Sequence, residues 1–290
     1  MTQSPPLRSE GGPFRLGVIG DPVAHSLSPA LHQPALDQLG IAAVYERWHT
    51  LAADLASRVE SVRDPEILGA SVTVPHKIAV MSMIDDVSPV ARRAGAVNTI
   101  VNRRGALFGD NTDIYGFGVT VSDVLGERAP QVAVVLGAGG AARAVVLALE
   151  AAGVAEIIVA NRDDERARQL AQDLHPAPVR PMRLDEEFLM RELPRTELLV
   201  NATSLGWHPG ETPIALPRLD LLPAGAVVAD LTYRDTDLLL AAQARSLKTT
   251  DGLPMLVHQG ARAFEMWTGS PAPVETMLAA ARAARAGAKT

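Results

Sequence analysis

One stretch restricts the fold more than any other. Five consecutive apolar residues, Val132-Ala133-Val134-Val135-Leu136, run straight into Gly137-Ala138-Gly139-Gly140-Ala141-Ala142-Arg143 and then into an Ala/Val/Leu-rich segment ending at Glu150. A Val-rich run of that length reads as a strand buried on both faces, and the segment after the glycines reads as a helix that starts at once. Strand, tight turn and helix N-terminus together make a phosphate site. Glycines let the backbone turn sharply and let a ligand come close, and the free N–H groups at the positive end of the helix favour an anion. The spacing fits the G-x-G-x-x-G/A dinucleotide fingerprint with Ala142 in the third place, and the lack of a following Gly-Lys-Ser/Thr disfavours a P-loop. The alternative is a purely structural crossover turn of an α/β protein.

Bulk properties narrow the classes. A chain of 290 residues, 47% hydrophobic, has the length and apolar content for two ordinary domains. Its formal net charge of -6 offers no basic field for nucleic acid or an anionic membrane, so the expected partners are small molecules or other proteins. With no cysteine there is no disulfide framework, thiol nucleophile or cysteine-based metal site. None of the 7 histidines falls in His-Glu-x-x-His spacing, and no metal is expected. Residues 1–13 read as a flexible tail without an apolar targeting core, and no run approaches the ~18 apolar residues of a membrane span. The expected location is cytoplasmic.

Taken in order, residues 14–19 form a first strand closed by Gly20-Asp21-Pro22. The loop carries Ser26-Leu27-Ser28-Pro29, in which Pro29 suits a first helical position and Ser28 its N-cap. The two serines at a strand's carboxyl end also suit an anionic or polyhydroxylated ligand. Strands over 43–48 and 68–74 flank a helix over 51–62, and this β-α-β-α-β pattern implies a parallel or mixed sheet. The third strand ends in Thr73-Val74-Pro75-His76-Lys77. If Pro75 seats a new helix, Lys77 lies near its N-terminus, where the dipole disfavours a cation and pushes its pKa towards proton-transfer use. A solvated surface lysine is the other reading. Residues 88–94 read as a helix, 95–101 as a strand and Arg103-Arg104-Gly105 as a hairpin-like turn. Asn111-Thr112-Asp113 precede a helix over 114–125, either as its cap or as polar groups facing a ligand.

Beyond the glycine turn, residues 156–160 form the next strand, ending in Asn161-Arg162-Asp163-Asp164-Glu165-Arg166. A dinucleotide site without a 2′-phosphate expects an acid at that point, whereas Arg162, with Arg166 a turn further on, suits a 2′-phosphate and hence NADP. The three acids are either a solvated helix start or unfavourable neighbours for that phosphate. Strands over 197–200, 226–231 and 248–250 follow, each closing in a polar cluster, and helices over 255–268 and 274–286 end the chain, expected to pack back on the first domain.

Seven stretches in this order resemble the shikimate dehydrogenase family: Gly20-Asp-Pro-Val-Ala-His-Ser26-Leu-Ser28-Pro29, Ser71-Val-Thr73-Val-Pro-His-Lys77, Ala94-Gly-Ala-Val-Asn98-Thr99, Gly109-Asp-Asn-Thr-Asp113, Gly137-Ala-Gly-Gly-Ala141, Asn201-Ala-Thr203-Ser and Asp251-Gly252-Leu-Pro-Met-Leu-Val-His-Gln259. The resemblance implies an α/β chain of two domains separated by a cleft. A substrate domain with a mostly parallel sheet would take 14–112 plus 253–290, and an NADP-binding Rossmann domain 113–252. It implies reduction of 3-dehydroshikimate to shikimate in aromatic amino-acid biosynthesis, by a monomer or homodimer. By matching position, Ser26 and Ser28 hold the substrate carboxylate with Tyr233 assisting, and Thr73, Asn98, Asp113 and Gln259 hold the ring hydroxyls. Lys77 and Asp113 form the catalytic pair. Gly137, Ala138, Gly139, Gly140 and Ala141 take the pyrophosphate, Asn161, Arg162 and Arg166 the ribose phosphate, and Thr203, Leu231 and Gly252 surround the nicotinamide. The family commonly has Asn-Arg-Thr where this chain has Asn161-Arg162-Asp163. Alternatives are a quinate/shikimate dehydrogenase using NAD, a non-catalytic sensor of the same fold, and a related dehydrogenase of a folate or amino-acid derivative.

Overall fold

The structure, a computed structural model, describes residues 12–126 and 128–287, so nearly all of the tail expected over 1–13 lies outside the described residues. The chain divides into two compact units, Met1–Thr112 with Val257–Thr290, and Asp113–Leu256.

The first unit runs β1 (Phe14–Gly20), α1 (Ser28–Gln38), β2 (Ala43–His49), α2 (Leu55–Ser61), β3 (Ile67–Val72), β4 (Asp86–Val87), α3 (Pro89–Ala94), β5 (Thr99–Arg103) and β6 (Ala106–Asp110). Its sheet has the order β2-β1-β3-β5-β6-β4. The β-α-β-α-β segment makes the parallel pairs β1 with β2 and β1 with β3, and the hairpin β5–β6 adds antiparallel pairing on one side. Arg104 and Gly105, at φ of 57° and 91°, supply the left-handed turn that joins the hairpin. The strand expected from residue 95 begins instead at Thr99. Gly95, at φ 61°, ends α3 in the left-handed conformation that only glycine adopts freely, so the chain is still leaving the helix there.

The second unit follows α4 (Thr112–Leu125), with β7 (Val132–Leu136), α5 (Gly140–Ala151), β8 (Glu156–Asn161), α6 (Asp164–Asp173), β9 (Val179–Arg183), α7 (Glu186–Glu192), β10 (Leu198–Asn201), β11 (Val227–Asp230), α8 (Asp237–Gln243) and β12 (Lys248–Thr250). All six strands are parallel in the order β12-β11-β10-β7-β8-β9. The strand order reverses between β7 and β10, and in open α/β sheets ligands bind at the carboxyl ends of strands flanking such a switch point. Every residue of β7 is buried, as its apolar run demands. β9 escapes the sequence reading because Pro181 interrupts it. A proline that cannot donate to the ladder is tolerated on this edge strand.

Two last helices, α9 (Leu253–Thr268) and α10 (Val274–Gly287), return to the first unit from Val257 onward. There α10 packs on α1, and Trp267 on α9 donates its indole N–H to Ile100 O at 2.9 Å.

Candidate active site

In the first unit the loop after β1 holds Ser26 and Ser28. Ser28 does not cap α1, the structural role its position suggested. It is the first helical residue, the cap position is Leu27, and no side chain bonds the helix end there. Ser26 Oγ accepts from Ser28 N at 3.3 Å and donates to Ser28 Oγ at 3.1 Å, so the two hydroxyls meet. Beneath them Tyr45, also buried, donates its hydroxyl to Ser71 Oγ at 2.8 Å and lies within hydrogen-bond reach of Ser28. Burial pushes the Tyr45 pKa above the ordinary phenol range. Its ring stacks on His32 at 4.4 Å, and His32, fully buried with neither ring nitrogen hydrogen-bonded, is held down to about 3 by desolvation.

Thr73 follows β3, half-buried, with its N–H on Ile19 O at 2.8 Å and its hydroxyl without a partner among the described residues. The helix expected after Pro75 is a turn followed by a short 3₁₀ run, Ala79–Met83. Lys77 is thus half-buried in a turn and lies at no α-helix N-terminus. His76 pins that turn by donating from Nε2 to Thr50 O at 2.7 Å, and Lys77 O accepts from Val97 N at 2.7 Å.

Asn98 is the hub of a second polar group. Its Oδ1 accepts from Thr112 N at 2.7 Å and Thr99 Oγ1 at 3.0 Å, and its Nδ2 donates to Thr112 Oγ1 at 3.0 Å and Gln259 Oε1 at 3.2 Å. The structure therefore brings Asn98 and Gln259 together, 161 residues apart in sequence, and adds Thr112 between them. The first N–H of α4 is capped by Asn98, while Asn111 turns its Nδ2 to Ala96 O at 2.9 Å. Asp113 comes next in the chain, 5% exposed in the first turn of α4.

In the second unit Gly137 sits at φ +106°, where a Cβ would lie 3.0 Å from Ala202 O, so the turn after β7 tolerates only glycine. Gly139 is the N-cap of α5, with no side-chain cap and nothing within 4 Å of an added Cβ. Ala138, Gly140 and Ala141 continue that half-buried turn, leaving helix-end N–H groups free of any capping side chain. At the end of β8, Asn161 donates from Nδ2 to Asp163 O at 2.8 Å. The acidic run is occupied locally. Asp163 caps α6 by accepting from Glu165 N at 3.2 Å, and Asp164 and Glu165 both pair with Arg168. Arg162 and Arg166 stay exposed with no acidic partner among the described residues. Thr203 donates its hydroxyl to Asn201 Oδ1 at 2.7 Å, and Leu231 N donates to Asn201 O at 3.0 Å. A Cβ on Gly252 would fall 2.0 Å from Leu231 O, so this position admits no side chain. Tyr233 meets Trp207 edge-on at 5.0 Å in this same unit, whereas Ser26 and Ser28 belong to the other.

Sequence reasoning missed Tyr45, Ser71 and Asp230, and named Thr112 only as a cap or a ligand-facing group. Tyr45 alternates inward along β2, a period-two signal that marks a core position and says nothing of its hydroxyl. A bare glycine turn at the switch point, with two unpaired arginines at the neighbouring strand end, fits a phosphorylated nicotinamide dinucleotide. Joined to a second α/β unit with a half-buried lysine and a cluster of hydroxyl and amide side chains, it defines a nicotinamide-dependent oxidoreductase.

Family models agree and are more specific. Residues 18–100 match the shikimate dehydrogenase substrate binding domain, 121–206 match shikimate / quinate 5-dehydrogenase, and 252–282 match the shikimate 5'-dehydrogenase C-terminal domain. Shikimate dehydrogenase (NADP(+)) of Symbiobacterium thermophilum is 47% identical over 283 residues, covering 95% of this chain and 96% of that protein. The crystal structure of shikimate 5-dehydrogenase from Thermus thermophilus in complex with NADP(H) and shikimate has a TM-score of 0.82 at 42% identity, covering 93% of this chain and 99% of that one. Quinate dehydrogenase from Corynebacterium glutamicum in complex with NAD gives 0.84 at 33%, with 93% and 99% covered. The chain belongs to the shikimate dehydrogenase family.

Proposed function

We propose that this chain catalyses the reversible NADP-dependent reduction of 3-dehydroshikimate to shikimate, with the first unit holding the substrate and the second the cofactor. NADPH supplies the hydride when bound. Ser26 and Ser28 donate to the substrate carboxylate, with Tyr233 assisting, and Thr73, Asn98, Asp113 and Gln259 hold the ring hydroxyls. Lys77 gives the C3 oxygen its proton in reduction and takes it back in oxidation, while Asp113 orients the lysine and that oxygen. Gly137 to Ala141 receive the pyrophosphate on the end of α5, Asn161, Arg162 and Arg166 receive the ribose phosphate, and Thr203, Leu231 and Gly252 line the nicotinamide position. A cytoplasmic location and a monomer or homodimer go with this reading, and no helix among the described residues is long and apolar enough to cross a membrane.

One observation carries the cofactor assignment: Arg162 and Arg166 have no acidic partner among the described residues, while Asp163, Asp164 and Glu165 are spent on the α6 N-terminus and Arg168. The carboxylate that favoured an NAD-using quinate/shikimate enzyme is thus committed to its own helix. Replacing Arg162 or Arg166 by alanine is expected to raise KM for NADP roughly 10- to 100-fold, the worth of a charge-assisted contact, and to leave KM for NAD nearly unchanged. Equal losses with both cofactors contradict the assignment.

A further inference from the structure

Asp230 closes β11 at 1% exposure, and no lysine, arginine or histidine among the described residues pairs with it. Its carboxylate is held by neutral donors: Asn201 Nδ2 at 3.0 Å and Thr236 Oγ1 at 2.9 Å on one oxygen, Thr232 N at 2.9 Å on the other, with the Thr232 hydroxyl as well. Burial pushes the Asp230 pKa above the ordinary carboxylate value, and the Asn201 amide and the Thr232 N–H, which can only donate and fall one on each oxygen, pull the other way, toward the ionised form. A buried charge without a countercharge is expensive, and polar groups of that kind are retained where they serve a site.

From Asp230 the bonds run to residues assigned to the nicotinamide. Asn201, fixed by Asp230, accepts on its Oδ1 from Thr203 N at 3.1 Å and Thr203 Oγ1 at 2.7 Å. Thr203 in turn lies 3.2 Å from where a Cβ on Gly137 would stand. On the other side Thr232, bound through its N–H to Asp230, accepts from Gly252 N at 3.2 Å and holds the Leu231 carbonyl against Gly252. One carboxylate ties together the ends of β10 and β11 and the turn at Gly252.

We propose that Asp230 is a positioning residue for the nicotinamide ring, holding Thr203, Leu231 and Gly252 in place, and that its uncompensated charge favours the oxidised, cationic ring over the reduced, neutral one. This rests on the cofactor reading above. The test is titration of the intact protein with NADP+ and with NADPH, by calorimetry and nucleotide fluorescence. The variants are Asp230→Asn, Asp230→Ser as a second neutral replacement, and Thr236→Val, which keeps the charge and removes one donor. Circular dichroism confirms folding. Either neutral variant is expected to weaken NADP+ roughly 3- to 20-fold more than NADPH, and Thr236→Val to weaken both alike. Equal weakening of the two nucleotides in a folded neutral variant overturns the charge effect, and unchanged affinities in all three variants overturn the positioning role. Failure of the wild-type chain to bind either nucleotide would instead remove the cofactor reading beneath it.

Discussion

Lys77 is half-buried in a turn pinned by His76, and the reaction asks one side chain to give and take a proton at the substrate oxygen. Losing a general acid/base costs about 10² to 10⁴ in rate, so Lys77→Ala is expected to lower kcat by that order with a smaller change in KM for shikimate. Steady-state assays decide it, and an unchanged kcat contradicts the role. His32 is of a different kind. In the unfolded chain it titrates near 6.5, and in the fold at about 3. Between those values the unfolded chain binds the extra proton, so the stability is complete above 6.5 and is lost as pH falls through the window towards 3. By about pH 5 the loss reaches about 2 kcal/mol. His32→Phe keeps the stack on Tyr45 and has no proton to bind. The fall in urea-unfolding free energy between about pH 7.5 and 5 is expected to shrink by about 2 kcal/mol in that variant, and identical falls contradict the assignment. At this scale the sequence was half legible. Lys77, Ser26 and Ser28 stood out by residue type and place, but the hydroxyl contact from Tyr45 to Ser71 spans 26 residues and no local pattern encodes it.

Among elements, the turn between β7 and α5 separates folding from binding within three residues. At Gly137 the positive φ and the 3.0 Å approach to Ala202 O forbid a side chain, so Gly137→Ala is expected to lower the melting temperature by several degrees. At Gly139 the backbone is extended and an added Cβ meets nothing, so Gly139→Ala is expected to melt with the wild type while raising KM for NADP at least roughly 10-fold. Calorimetry beside cofactor titration separates the two, and equal melting losses contradict the division. Most of the longer strands declared themselves through apolar runs, whereas the two-residue β4 and the edge strand β9, interrupted by Pro181, did not. The Pro75 cue misled because a proline that seats a helix also seats a turn, and only the contacts of His76 and Val97 settle which forms. Asp163, the departure from the family pattern, stood as an anomaly in sequence and is a helix cap in the structure.

At the scale of the whole molecule, sequence order alone announced alternating strands and helices, while the reversal between β7 and β10, which makes the switch point, emerges only from strand pairing. The return of residues from Val257 onward to the first unit is what places Gln259 against Asn98. On the proposed reading, these units carry out NADP-dependent oxidation and reduction at C3 of shikimate. The most direct measurement is the initial rate of shikimate oxidation by the purified chain, followed through reduced nicotinamide absorbance with NADP and NAD in parallel. Turnover with NADP is expected at a kcat/KM roughly 100-fold or more above that with NAD. Binding of shikimate and NADP without turnover on either cofactor would contradict it.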